Sequence, residues 1–256
     1  MPLKQRMKLP VIRICKLAAV VCLWACLPSP PAFACRYNVR EIGFVDLDTE
    51  PYYLYGYVIA DTPEDTIGTF KQISYAALMD SNIKFEIINA AQQKDHPAMR
   101  FLDTSRIKSF PVAVLVSPDG QSLVVAVTEP DRPFEQTLGS ALRDVLSSPK
   151  REEILEQAIR AYAVVLVIEG PDAQENRRVR EAASAAIERI RVQMPIMPKL
   201  IANPPVQVVV DSNSLSTEKV LLWSLGLDAD KVNTPCATVV YGRARRIGPI
   251  LTGAEI

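Results

Sequence analysis

Few residues of this 256-residue chain could do chemistry. Past the N-terminal segment there are two cysteines, Cys35 and Cys236, and the chain's one histidine, His96. Cys236 opens an apolar run, Cys236–Tyr241, directly after Thr234-Pro235. A thiol there could attack a disulfide, or pack as a small apolar residue. No basic or histidine neighbour in sequence would activate it, which favours the packing role. A Ser-His-Asp or Cys-His site would have to use His96. It stands in Lys94-Asp95-His96-Pro97, a polar helix entrance, and is expected to be a solvated turn residue. One histidine and two distant cysteines form no metal-ligand pair, so no metal is expected. No Gly-x-Gly-x-x-Gly or Walker loop occurs, and no cofactor is expected. Arg243, Arg245 and Arg246 read as a charged sheet edge that resists aggregation. Tyr52, Tyr53 and Tyr55 open a strand, with alternate rings expected to face the sheet interior.

The whole chain balances 29 basic against 29 acidic residues, but residues 1–34 hold five of the cations and no acid. Without them the body carries 24 basic residues against 29 acidic, a net charge of −5. Nothing in that balance points to nucleic acid. Leu17–Leu27 is an eleven-residue apolar run after Lys16, followed by Pro28-Ser29-Pro30-Pro31 and Ala32-Phe33-Ala34. It falls well short of the roughly 20 residues that span a bilayer. A charged start, a short apolar core and small residues at −3 and −1 fit a cleaved secretory signal. Residues 1–34 are therefore expected to be removed, leaving Cys35 first and the protein exported, periplasmic or envelope-associated. A cysteine at that position could carry a lipid, the one route to the membrane. Ala32 and Phe33 depart from the sequence that lipidation requires. In an oxidising compartment Cys35 and Cys236 could also pair.

The mature chain reads as alternating elements. Strand patterns cover Tyr52–Ala60, Ile83–Ala90, Val112–Val116 and Leu123–Val127, with helical spacing through Ile67–Leu78, around Pro97–Leu102 and over Phe134–Leu146. After a connecting helix at Glu152–Ala161 the order recurs. Strands cover Ala163–Ile168, Val206–Val210 and Cys236–Tyr241, with helices at Glu175–Val192 and Thr217–Leu225. Pro111 and Pro235 each head the apolar strand before a turn, 124 residues apart. An internal duplication follows, with an insertion near Met194–Pro205.

This order, with its proline-led third strand, resembles the thioredoxin-like fold. The resemblance covers residues 50–256. It implies an α/β protein of two such domains in tandem, at 35–149 and 150–256. Ile256 comes too soon after the second hairpin for a closing helix like Phe134–Leu146, so the second domain is expected to lack one. In that family the proline is cis and faces the active site, which makes Pro111 and Pro235 markers of the fold. It also puts Cys236 at the functional end of its domain, where it could form a mixed disulfide. The family's redox chemistry needs Cys-x-x-Cys at the first helix start. Those places read Ala60-Asp61-Thr62-Pro63-Glu64-Asp65 and Glu169-Gly170-Pro171-Asp172-Ala173, without a cysteine. Dithiol exchange there is not expected. The leading expectation is a non-catalytic envelope scaffold that binds protein partners. A thiol-dependent protein acting through Cys236, and a lipoprotein subunit of an envelope transporter, are the alternatives.

Overall fold

The computed structural model of the chain describes residues 51–104, 107, 109–198, 201–242 and 245–256. The expected leader, Cys35 and Arg243 lie outside the described residues. Two four-stranded sheets carry the fold. The first contains β1 (Tyr52–Val58), β2 (Ile83–Asn89), β3 (Val112–Val116) and β4 (Ser122–Val125), in the order β2-β1-β3-β4. The second contains β5 (Val164–Ile168), β6 (Val206–Val210), β7 (Cys236–Tyr241) and β8 (Arg245–Thr252), in the order β6-β5-β7-β8. In each, the first two strands are parallel and the last two run antiparallel. Strand order and direction are those of a thioredoxin-like sheet, repeated. The repeat holds to the residue at one point: Val112 lies opposite Tyr57, as Cys236 lies opposite Ile168.

Alternation along β1 sorts its aromatic residues by face. Tyr52 and Leu54 are buried in one core, whereas Tyr53 and Tyr55 stack on the other side with centroids 5.6 Å apart. Gly56 sits where a Cβ would come 2.8 Å from the Phe70 ring, so the missing side chain lets helix α1 (Glu64–Leu78) settle on the sheet. Phe70 meets Phe134 of α2 (Phe134–Leu146) edge-on at 5.6 Å, closing the first core.

Capping decides where several helices begin. α3 (Pro149–Arg160) starts three residues before the sequence pattern suggests, because Ser148 caps it and Pro149 supplies a preset φ. α4 (Ala173–Gln193) likewise starts early, under the Asp172 carboxylate. The expected helix near Pro97 is a 3-10 turn, Pro97–Phe101, capped by His96. The helix expected over Thr217–Leu225 is the shorter α5 (Lys219–Ser224), after a 3-10 turn at Ser212–Ser214. After β8 the described residues end in a 3-10 turn, Gly253–Glu255, where the first half has α2. No described helix is long and apolar enough to cross a membrane.

The halves join through both apolar and polar contacts. Trp223 of α5 packs edge-on to Tyr52 of β1 at 6.2 Å and belongs to the first core. Beside this lies a buried polar cluster. Glu218, 1% exposed, accepts from the Ser148 hydroxyl and from the Lys150 N–H at 3.0 Å. Arg151, 2% exposed, donates to Ser148 Oγ at 3.1 Å and to the Val145 carbonyl at 2.8 Å. Burial lowers the Arg151 pKa to about 10, with the Glu218 charge acting against it. The end of α2, the start of α3 and the start of α5 are thus tied at one point.

Candidate functional site

Each thioredoxin-like half has one place where redox chemistry would sit: the loop after its first strand, facing the proline-led strand. In the second half this loop is closed by its own backbone. Gly170 is buried, and a Cβ there would come 3.0 Å from both Thr234 C and Pro235 N. Asn176, on the first turns of α4, clamps the glycine. Its Oδ1 accepts from the Gly170 N–H at 2.9 Å and its Nδ2 donates to the Gly170 carbonyl at 2.8 Å. Asp172 accepts from the N–H groups of Gln174 and Glu175, at 2.8 and 3.1 Å. The helix end that would stabilise a thiolate is therefore already held by a carboxylate. Glu169 is buried and paired with Arg180 at 2.7 Å.

In the first half the loop is open but no better equipped. Ile59, Ala60 and Asp61 are exposed. Thr62, the one hydroxyl there, accepts from the Ile59 N–H at 3.1 Å, which makes it a turn residue. Glu64 and Asp65 fill the first turn of α1, where acids suit the helix dipole and repel a thiolate.

Cys236 is 2% exposed and packs in the second core among Ile168, Val210 and Leu221. Burial raises its pKa from 9.0 to about 11. Its register position is that of Val112 in the first half, itself a core residue. A protonated thiol in this setting is a poor nucleophile. The two marker prolines differ. The Phe110–Pro111 bond is cis and Thr234–Pro235 is not. Both prolines are buried.

His96 is a cap and not a free turn residue. Its Nδ1 accepts from the Ala98 N–H at 3.2 Å, and Nε2 lies 3.4 Å from Glu86. Among the described residues no group of three His, Cys, Asp or Glu could hold a metal ion. Arg246 donates to the Leu225 carbonyl at 3.2 Å, so this part of the arginine cluster ties β8 to the end of α5.

A cleft of about 1310 Å³ lies between the halves. One wall is β4 with the residues just after it, and the other is α5 with the segment Gly226–Lys231. Sequence reasoning found neither this cleft nor Asn176 and Glu218. The cleft and the Glu218 contacts depend on elements far apart in the chain, whereas Asn176 depends on how the chain turns back to Gly170. The only local signal was a polar residue placed just ahead of, or inside, an otherwise apolar helix face.

No family model matches the chain, and no curated protein matches it. Among solved structures, the chain is similar to the first two thioredoxin domains of Saccharomyces cerevisiae Eps1p, at 12% identity and a TM-score of 0.27, covering 79% of this chain and 85% of that one. It is similar to the corresponding two domains of Naumovozyma dairenensis Eps1p, at 10% identity and a TM-score of 0.25, covering 88% and 92%. It is also similar to the zinc-bound form of human ERp44, at 13% identity and a TM-score of 0.30, covering 80% of this chain and 52% of that one. What assigns this chain its tandem thioredoxin-like fold is its own twofold repeat of strand order and direction.

Proposed function

We propose that this chain is an exported, non-catalytic binding protein of the cell envelope, which uses two joined thioredoxin-like domains as a platform for a protein partner. One observation carries the non-catalytic part. Where the fold would present a reactive thiol, the second half presents Gly170 packed on Pro235, clamped by Asn176 and flanked by the capping Asp172. The described thiol, Cys236, is buried and protonated at neutral pH. Export rests on residues 1–34, and the mildly acidic body favours protein over nucleic acid as partner.

An insulin-reduction or scrambled-ribonuclease assay tests the catalytic part. The expected result is no turnover above background. Turnover that disappears in Cys236→Ala would overturn the scaffold reading. Mass spectrometry of the mature protein tests the export part. A chain beginning at an unmodified Cys35 is expected, whereas a lipid on Cys35 would make it a membrane-tethered protein.

A further inference from the structure

The first sheet carries a helix that has no described counterpart on the second. Leu54 lies opposite Leu115, and Leu115 opposite Leu123; in the second half those places are held by Val165, Val239 and Ile247. Ala113 opposite Val125 likewise matches Ala237 opposite Leu251. The first helices match as well. Phe70 of α1 lies over Gly56, and Val179 and Ala183 of α4 pack with Val167, which holds the place of Gly56. Beside α1 stands α2, which adds Phe134, Leu138, Leu142 and Val145 to the core containing Leu115, Leu123 and Val125. Beside α4 no helix stands among the described residues, because α3 and α5 pack on the opposite face with Leu166 and Ile168.

Exposure follows from that difference. Leu115 is 0% and Val125 9% exposed, whereas Val239 is 38%, Ile247 47% and Leu251 38% exposed. Ile256 packs with the cluster of Val167, Val179 and Ala237, and these three stay uncovered beyond it. A contiguous apolar strip on a sheet face marks an interaction site.

α4 forms one wall of the strip. Arg178, Ala182, Ala185 and Arg189 recur at i, i+4, i+7 and i+11, which is one row along the helix. Arg178 donates to the Gly253 carbonyl at 2.7 Å, just past β8, while Ser184 on the other flank bonds Gln207 of β6 at the opposite edge of the sheet. The row therefore faces the strip. Ala185 and Arg189 are exposed, and the small side chains allow a neighbouring helix to come close. Arg178 is paired with Glu175, whereas Arg189 donates to the Ala185 carbonyl and has no carboxylate partner.

These features select the occupant. A helix is about 10–12 Å across, so a flat surface resting on α4 would not reach the strip below it. A helix laid beside α4 does reach it, as α2 reaches the matching strip beside α1. The described helices of a second copy do not qualify. Among large apolar side chains, α1 exposes Tyr75 and Met79, α3 exposes Ile159, and α4 exposes Val192. None of them presents an apolar row over three turns.

We propose that the strip of Val239, Ile247 and Leu251 beside α4 binds an amphipathic helix of a partner protein, with its apolar row against the sheet and an acidic side chain opposite Arg189. This rests on the platform reading above and names its partner chemistry and its site.

The test uses the mature protein and a fluorescein-labelled, stapled helical peptide of about 14 residues. Its leucines follow the spacing of Phe134, Leu138, Leu142 and Val145, and glutamates line one flank. Fluorescence anisotropy gives affinity, and methyl NMR maps the site. Shifts on binding should fall on Val239, Ile247 and Leu251. Ile247→Asp alters an exposed side chain and should weaken binding at least tenfold while circular dichroism stays native. Arg189→Glu should weaken the glutamate peptide and strengthen its lysine counterpart, each about threefold. Wild-type shifts keep the test valid if a variant unfolds. Shifts elsewhere only, unchanged affinity in Ile247→Asp, or no saturable binding with peptide in the millimolar range would overturn the proposal. A strip already covered in the peptide-free protein would overturn it too. A dimer that Ile247→Asp dissociates would assign the strip to a second copy, and contacts to residues 35–50 in a monomer would assign it to the chain's own leading segment. None of these outcomes bears on thiol turnover, so the non-catalytic reading stands or falls separately.

Discussion

The two halves have the same strand order and differ wherever a thioredoxin-like sheet would do chemistry. Counting from matched pairs, Ile59 in the first half corresponds to Gly170 in the second, two residues past Tyr57 and Ile168. Ile59 is 39% exposed, and Gly170 is pressed against the Thr234–Pro235 backbone. Val112 and Cys236 occupy the same buried place. β4 presents a bare edge to a cleft, whereas β8 carries arginines, a proline and a bulge. The matched loops thus differ in packing: Gly170 is pressed on backbone and clamped by Asn176, whereas the Ile59–Asp61 loop is exposed. The comparison also separates frame from function: identical strand order says nothing about activity, which depends on loop residues that need not repeat.

The largest expected effect is at the join. Glu218→Ala removes the acceptor for Ser148 and Lys150 and leaves the buried Arg151 guanidinium without its nearby carboxylate. Breaking such a buried cluster costs about 3 kcal/mol. That corresponds to a Tm lower by roughly 6–12 °C for a chain of this size. Hydrogen exchange should rise in β1 as well as in β5, because the cluster holds both halves together. Loss of protection confined to β5 would show that the halves unfold independently, and an unchanged Tm would remove the cluster from the account.

Next comes the closed loop. Gly170→Ala introduces a Cβ 3.0 Å from two backbone atoms, which cannot move aside as a flexible side chain could. Overpacking of this kind costs about 1–3 kcal/mol. Asn176→Ala leaves the Gly170 N–H and C=O buried without their partner, at about 1–3 kcal/mol. Ile59→Ala, at the matching place, should stay within about 0.5 kcal/mol. Urea denaturation of the three variants measures the contrast. Equal sensitivity at positions 59 and 170 would mean that the second loop is not closed by packing.

Much of the frame was legible in the sequence because each strand and helix announces itself locally. β1 shows aromatic alternation, β3 and β5 are short apolar runs, and Pro111 and Pro235 mark the same point of each half. Helix starts were misplaced at Pro149 and Ala173, where capping by Ser148 and Asp172 outweighed the apolar periodicity. The candidate site was legible only in the negative, through two loops without cysteine. Its positive features are made by partners that only the fold brings into contact. Asn176 matters because the chain folds Gly170 back beside it, and Glu218 because α3 begins some 70 residues earlier in the chain. The β4 edge becomes distinctive only once α5 stands opposite it.

The smallest effect at neutral pH is expected at the matched core position. Cys236→Val gives the second half the residue that the first half has at Val112, a near volume-conserving change in a buried strand. It should alter stability by less than about 1.5 kcal/mol at pH 7. Its diagnostic value appears at high pH. The folded thiol has a pKa of about 11, against 9.0 for an ordinary thiol. The folded state therefore binds the proton more tightly, and its stability contribution is complete below pH 9. Above that the unfolded chain can ionise while the folded chain cannot, so stability falls as pH rises through 11. By pH 11 the loss from this group is about 2 kcal/mol. Cys236→Val lacks the group and should lack this part of the decline. Subtracting the two stability profiles cancels the tyrosines and lysines that titrate in the same range. A difference that stays flat from pH 8 to 11 would mean that Cys236 ionises normally in the folded protein. It would then be an accessible thiol, and the likeness to the buried Val112 would fail.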